Sequence, residues 1–294
     1  MVASSAGDGA APATAGAAPP APGSTRTDDA PILQLRNIGK TFGPVQALAG
    51  VDLDIHVGQV TALVGDNGAG KTTLVKCIAG IHEPSSGQML WNGKPVHLHS
   101  PKEATDLGIS TVYQDLALAD NLDIVQNMLL GHEVTHFGLL DEVSMELTAK
   151  KTLADLSVTT VRSIRQPVGS LSGGQRQAVA VARAVMQDAK LVIMDEPTAA
   201  LGVSQTEMVL NLIRTLADRG HAVLVISHNL IDVFQVADRI AVMYLGRLAI
   251  EGPASQFDSQ TVVEYMTTGS LIRHGNGNGA EAVRSPDASS GSEG

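Results

Sequence analysis

The chain has one cysteine, Cys77, so it holds no internal disulfide and fits a reducing compartment. Aromatic residues make up 3% of the 294 positions, with one Trp, three Tyr and four Phe. A carbohydrate pocket, concave and usually faced by aromatic rings, has little to be built from here. Long apolar runs are missing as well. Ala222–Ile226 is short and Ala178–Val185 is interrupted by Arg183, whereas a membrane-spanning helix needs about 20 apolar residues. If a membrane is involved, another chain must cross it. Basic side chains are outnumbered, 20 against 30 acidic, for a net charge of −10. A general nucleic-acid binder needs a basic stripe to displace counterions, so the balance argues against that class.

What is present is a large core: 44% of residues are hydrophobic, enough for one substantial domain. The two ends differ in composition. Residues 2–30 are rich in Ala, Pro, Gly and Ser, lack a basic leading segment, and are broken by Pro19, Pro20 and Pro22, unlike a signal peptide. Residues 1–30 and 274–294 therefore read as disordered tails. Each carries −2, from Asp8, Asp28 and Asp29 against Arg26, and from Glu281, Asp287 and Glu293 against Arg284. The ordered domain is expected over residues 31–273.

Along that domain, Pro31–Ile38 and Gln46–Val57 alternate as half-buried strands around a Gly43-Pro44 turn. Val60–Val64 is a short apolar run, followed by a glycine-rich loop and a helical Thr72–Ala79. Asn92-Gly93 marks a hairpin between Gln88–Trp91 and Lys94–Leu98. Residues 115–168 carry helical spacing at Val125–Leu130 and Met145–Leu156 and no strong strand pattern, as in a helical insert. Then helix Gln175–Met186, strand Leu191–Met194, helix Gln205–Arg219 and strand Ala222–Ile226 alternate, which implies a parallel sheet covered by helices. Arg239–Tyr244 and Arg247–Glu251 read as a closing hairpin, and Gln260–Met266 as a last helix.

Four motifs carry chemistry. Gly65-Asp66-Asn67-Gly68-Ala69-Gly70-Lys71-Thr72 fits G-x-x-x-x-G-K-[ST], between a strand and a helix. Its glycines let several N–H groups point at one anion, and the helix start adds its positive dipole end. Lys71 would reach the outer phosphates of a nucleotide, and Thr72 would ligate Mg²⁺. Leu191–Met194 runs into Asp195-Glu196-Pro197, two carboxylates closing a buried strand where unpaired charge is costly. Asp195 would hold Mg²⁺, and Glu196 would orient or deprotonate the attacking water. Leu171-Ser172-Gly173-Gly174-Gln175 puts a good N-cap and two glycines at a helix start. His228 follows the strand 222–226, at the end where open α/β sheets bind ligands. His97 and His99 alternate on a strand without further ligands nearby, which argues against a zinc site.

Taken in order, GDNGAGKT, Tyr113-Gln114-Asp115, LSGGQ, LVIMDEP and His228 resemble the ATP-binding subunits of ABC transporters, over about residues 32–270. The resemblance implies an α/β P-loop NTPase core, a mostly parallel sheet with an antiparallel β subdomain, plus a helical subdomain at about 115–168. It implies ATP and Mg²⁺ as cofactors, bound by Phe42 against adenine, by Gly65 to Thr73 around the phosphates, and by Ser172, Gly173, Gly174 and Gln175 of a second copy. Gln114 would contact Mg²⁺ or the water, and Glu196, His228 and Gln114 would serve hydrolysis. A paired ATPase subunit and an integral-membrane permease would be its partners, at the cytoplasmic face of the membrane, with no nucleic acid. Asn67, the run Asp195 to Val203 and Ser227-His228-Asn229 look like sugar importers of the ribose and fructose type, which would add a sugar-binding protein. Gly202, where most of the family has aspartate, reads as a mark of that subgroup. Another cargo, or a soluble ATPase outside transport, are the alternatives.

Overall fold

The structure is a computed structural model and describes residues 30–270. Apart from Ala30, the two tails expected at 1–30 and 274–294 lie outside the described residues.

A six-stranded sheet forms the centre. It comprises β3 (Val60–Gly65), β6 (Ile109–Val112), β9 (Leu191–Asp195), β10 (Ala222–Ile226), β11 (Arg239–Tyr244) and β12 (Arg247–Pro253), in the order β12-β11-β3-β10-β9-β6. All pairs are parallel except β11–β12. Strands buried on both faces need continuous apolar runs rather than alternation, and these have them. Val192, Met194, Val223 and Val225 pack into one core with α5 (Gly173–Met186) and α6 (Val203–Asp218). Leu191, Ile193, Leu224 and Ile226 face the other way, onto α1 (Lys71–Ile78) and an antiparallel sheet. That second sheet is β1 (Leu33–Phe42), β2 (Val45–Ile55), β4 (Ser86–Trp91) and β5 (Lys94–Val96), ordered β2-β1-β4-β5. A third cluster seats α7 (Leu230–Val236) and α8 (Ser259–Thr268) against β3 and β11. The expected fold class is the one observed.

Residues 115–168 hold α3 (Ile124–Leu129) and α4 (Glu142–Asp155). They also hold a two-residue hairpin, β7 (Thr135–His136) with β8 (Leu139–Leu140), which the helical reading did not include. The segment preceding β6 forms α2 (Pro101–Leu107), started by the Ser100 hydroxyl accepting from the Glu103 N–H. Ile124, Val125, Met128, Met145, Ala149 and Leu153 join the same core as α5, so the insert is packed onto the sheet's helical layer.

Candidate active site

Parallel topology brings the C-terminal ends of β3, β9 and β10 side by side, and each end carries a motif. After β3 the chain turns through Asp66, Asn67 and Gly68, all exposed, and enters α1 at Gly70. Gly70 sits at φ 101°, and a Cβ there would lie 2.9 Å from the Ala47 carbonyl oxygen. A side chain at that point would be strained twice over, by conformation and by contact. Lys71 is buried; its Nζ donates to the carbonyls of Gly65 at 2.7 Å and Asp66 at 3.0 Å. Burial pushes its pKa down, while Glu196, Asp66 and Asp195 pull it back up. An ammonium held in such a place gains strongly from an approaching anion.

The loop opens onto a cavity lined by Asn67, Gly68, Ala69, Gly70, Lys71, Thr72 and Thr73, so these expected residues are gathered together. Its other wall is Val45, Gln46 and Ala47 of β2 with Leu245 and Gly246 of the β11–β12 turn. Sequence reading missed this wall. The Gly246 N–H donates to the Ala69 carbonyl at 2.9 Å and the Ala49 N–H to the Gly246 carbonyl at 2.8 Å, a closure spanning nearly 200 positions. Phe42 is half exposed and pairs across the hairpin with Val45, which lines the cavity. Its own ring meets His82 edge-on at 5.2 Å, with the Lys40 ammonium 5.1 Å from its centre.

At the end of β9, burial raises the pKa of Asp195, and the neighbouring Glu196 charge adds to the rise, against Lys71 and Lys76. This is a carboxylate short of positive charge, and a divalent cation would supply it. Glu196 turns out of the strand at φ 50°, its N–H fixed by the Ile226 carbonyl of β10 at 2.9 Å. Its Oε1 accepts from His228 Nδ1 at 2.8 Å. Beyond it, the Thr198 hydroxyl donates to the buried Asp232 carboxylate of α7 at 2.6 Å, tying the two strand-end segments together. Gln114 follows β6 and is exposed; no hydrogen bond joins it to Asp195, Glu196 or Lys71.

Ser172 caps α5, and its hydroxyl accepts from the Gln175 N–H while the Gln175 carboxamide accepts from the Ser172 N–H. The Gln175 Nε2 donates to the Thr160 carbonyl at 2.7 Å, so both ends of this carboxamide are engaged within the chain. The two glycines leave N–H groups at the helix start, and they also permit close packing on α6. A Cβ on Gly173 would lie 2.7 Å from Leu201, and one on Gly174 would lie 2.9 Å from Met208 and 3.1 Å from Gln205. None of Ser172, Gly173, Gly174 or Gln175 lines the cavity at Lys71.

Fold and loop together define a P-loop nucleotide-binding domain with a helical insert. The family model described as ABC transporter matches residues 48–199. The chain is 46% identical over 240 residues to the xylose/arabinose import ATP-binding protein of Sulfolobus acidocaldarius, covering 82% of this chain and 95% of that one. It is 45% identical over 245 residues to the fructose import ATP-binding protein of Rhizobium meliloti, covering 81% and 94%. The solved ADP conformation of an ATP-binding cassette of an ABC transporter superposes with a TM-score of 0.69 at 28% identity, covering 81% of this chain and 95% of that one. The chain belongs to the ABC transporter family, as its ordered motifs indicated.

Proposed function

We propose that the chain is the ATP-binding and ATP-hydrolysing subunit of an importer for a simple sugar of the xylose, arabinose, fructose or ribose kind. The observation that carries the ATPase reading is the Glu196–His228 hydrogen bond, set at adjoining strand ends whose neighbour is the Lys71 loop. The sugar reading rests on the likeness to the two import proteins.

In this account the exposed loop at 66–68 and the start of α1 present N–H groups to the phosphates. Lys71 adds a charge that burial makes costly to leave unpaired. The residues that would hold Mg²⁺ are Thr72 through its hydroxyl, Asp195 through its carboxylate and Gln114 through its carboxamide, hard oxygen donors that suit this ion. The ion, if held there, would supply positive charge against the charge that develops on the phosphates. Glu196 takes the proton of the attacking water, and His228, through its Nδ1–H, holds the Glu196 carboxylate in one orientation. Phe42 offers an exposed ring for adenine beside the cavity wall.

The Ser172 loop does not line the cavity at Lys71; by the family likeness it is assigned to the nucleotide of a second, paired ATPase subunit. No helix among the described residues is long and apolar enough to cross a membrane. A separate integral-membrane permease, with a sugar-binding protein delivering to it, completes the importer, and this chain sits on it at the cytoplasmic face. The Glu196→Gln variant tests the composite site. It is expected to run as a dimer on a sizing column with ATP and Mg²⁺, and as a monomer without nucleotide. A monomer at saturating ATP and Mg²⁺ would overturn the paired arrangement.

A further inference from the structure

Residues 164–171, which lead into the Ser172 loop, contain no regular structure except a 3-10 turn at Val168–Ser170. Their path is set by a second irregular segment, 119–123. The Val168 N–H donates to the Leu122 carbonyl at 3.0 Å, the Gly169 N–H to the Asp120 carbonyl at 3.0 Å, and Asp123 pairs with Pro167 as an antiparallel bridge. Arg176, just past the loop, pairs with the Asp120 carboxylate at 2.5 Å. Both flanks of Ser172–Gln175 thus rest on Asp120. A Cβ on Gly169 would lie 3.1 Å from the Asp120 carbonyl oxygen, so the fit is close.

A strap of coil can serve as a reference surface if something fixes it, and here one buried side chain does. Asn127, in α3, is fully buried. Its Oδ1 accepts from the Ala119 N–H at 2.8 Å, and its Nδ2 donates back to the Ala119 carbonyl at 3.0 Å. The same Nδ2 lies 3.2 Å from the Leu122 carbonyl and 3.0 Å from the Asp123 carbonyl. The carboxamide pairs with the Ala119 peptide group as a strand neighbour would, satisfying polar groups that burial would otherwise leave unpaired. Leucine has neither function, aspartate lacks the donor, and glutamine is one methylene too long.

We propose that Asn127 is a positioning residue for the Ser172 loop, acting through the 119–123 strap on which residues 164–169 and Arg176 are seated. The proposal rests on the reading that the Ser172 loop completes a partner's ATP site. It touches neither the Lys71 loop nor Glu196, so its loss should separate nucleotide binding from assembly.

The test compares Asn127→Asp and Asn127→Ala, each in the Glu196→Gln background, with that parent. ATP affinity of the single subunit is expected to stay within about twofold, while the ATP concentration needed for dimer formation rises at least about tenfold. Amide exchange at 119–123 and 164–171 should quicken in both variants at least about tenfold, with α1 unchanged. Dimer formation at the parent's ATP concentration with quickened exchange would overturn the positioning role, and so would unchanged exchange at 164–171. If the parent itself fails to dimerise, the composite-site reading falls, and the exchange arm still decides the positioning of the loop. If neither variant folds, the unsubstituted chain decides. Its Ala119 amide should exchange as slowly as the amides of α3, and exchange at the rate of free coil would overturn the proposal.

Discussion

The Thr198 hydroxyl donates to the buried Asp232 carboxylate at 2.6 Å, which fixes the segment after Glu196 against the helix that follows His228. With the Glu196–His228 bond at 2.8 Å, the two strand ends are laced at two points. Substitutions here should therefore alter chemistry more than binding. Glu196→Gln keeps the shape and loses the base, and is expected to slow hydrolysis by about 10²–10⁴-fold while ATP still binds. His228→Ala leaves the base in place but unheld, and should lower kcat with little change in KM. Steady-state phosphate release reads both. Near-normal turnover in Glu196→Gln would remove this residue from the mechanism.

Lys71→Ala takes away a buried ammonium that now donates to Gly65 and Asp66. A hydrogen bond to a charged group contributes roughly 1.5–3 kcal/mol, so ATP affinity should fall about 10–100-fold. Equilibrium binding of a fluorescent ATP analogue checks the figure, and circular dichroism checks that the fold is kept.

Asp195 gives a pH prediction with a definite sign. Burial raises its pKa in the folded chain, so between the ordinary carboxylate value and the raised one the folded state holds more protons than the unfolded. Stability from this group is present at low pH and falls as pH rises through that window. Asp195→Asn should remove the fall and so raise Tm at neutral pH, while abolishing Mg²⁺-dependent hydrolysis. A lower Tm for Asp195→Asn in the absence of nucleotide and metal would contradict the charge argument.

The motif segments were legible because each is local. The Lys71 loop, the Asp195-Glu196 strand end and the Ser172 cap each declare themselves within eight residues, and the stretches 191–194 and 222–226 are continuous apolar runs. What escaped was short or assembled from distant parts. The strand Ile109–Val112 is four residues long, and the hairpin at 135–140 has two residues per strand, too few to show a period. Helix 101–107 buries only Ala104, so it has no apolar stripe, although Ser100, Pro101 and Glu103 were the start signals. Leu245 and Gly246 reach the Lys71 cavity only through the order of the sheet. Asn127 looks like any polar residue in a helix until its four partners are seen. Gly174 stands at a helix start in the sequence; its closeness to α6 depends on packing that no local pattern encodes.

That closeness is itself testable. Gly174→Ala would press on Met208 and Gln205, at 2.9 and 3.1 Å, and overpacking of this kind costs about 1–3 kcal/mol. Met208→Ala in the same chain should recover part of the loss, because the nearer clash is with a flexible side-chain end. A double-mutant cycle by urea unfolding measures the coupling, and strictly additive effects would place the strain elsewhere.

The central claim is that ATP hydrolysis at Glu196 drives sugar uptake through a separate permease. It is tested most directly by uptake of labelled xylose, arabinose, fructose and ribose in the native cell, comparing the unsubstituted chromosomal copy with Glu196→Gln. The account predicts that uptake of at least one of these sugars falls to background in the variant, while growth on unrelated carbon sources is unchanged. Uptake of all four at the unsubstituted rate would contradict it.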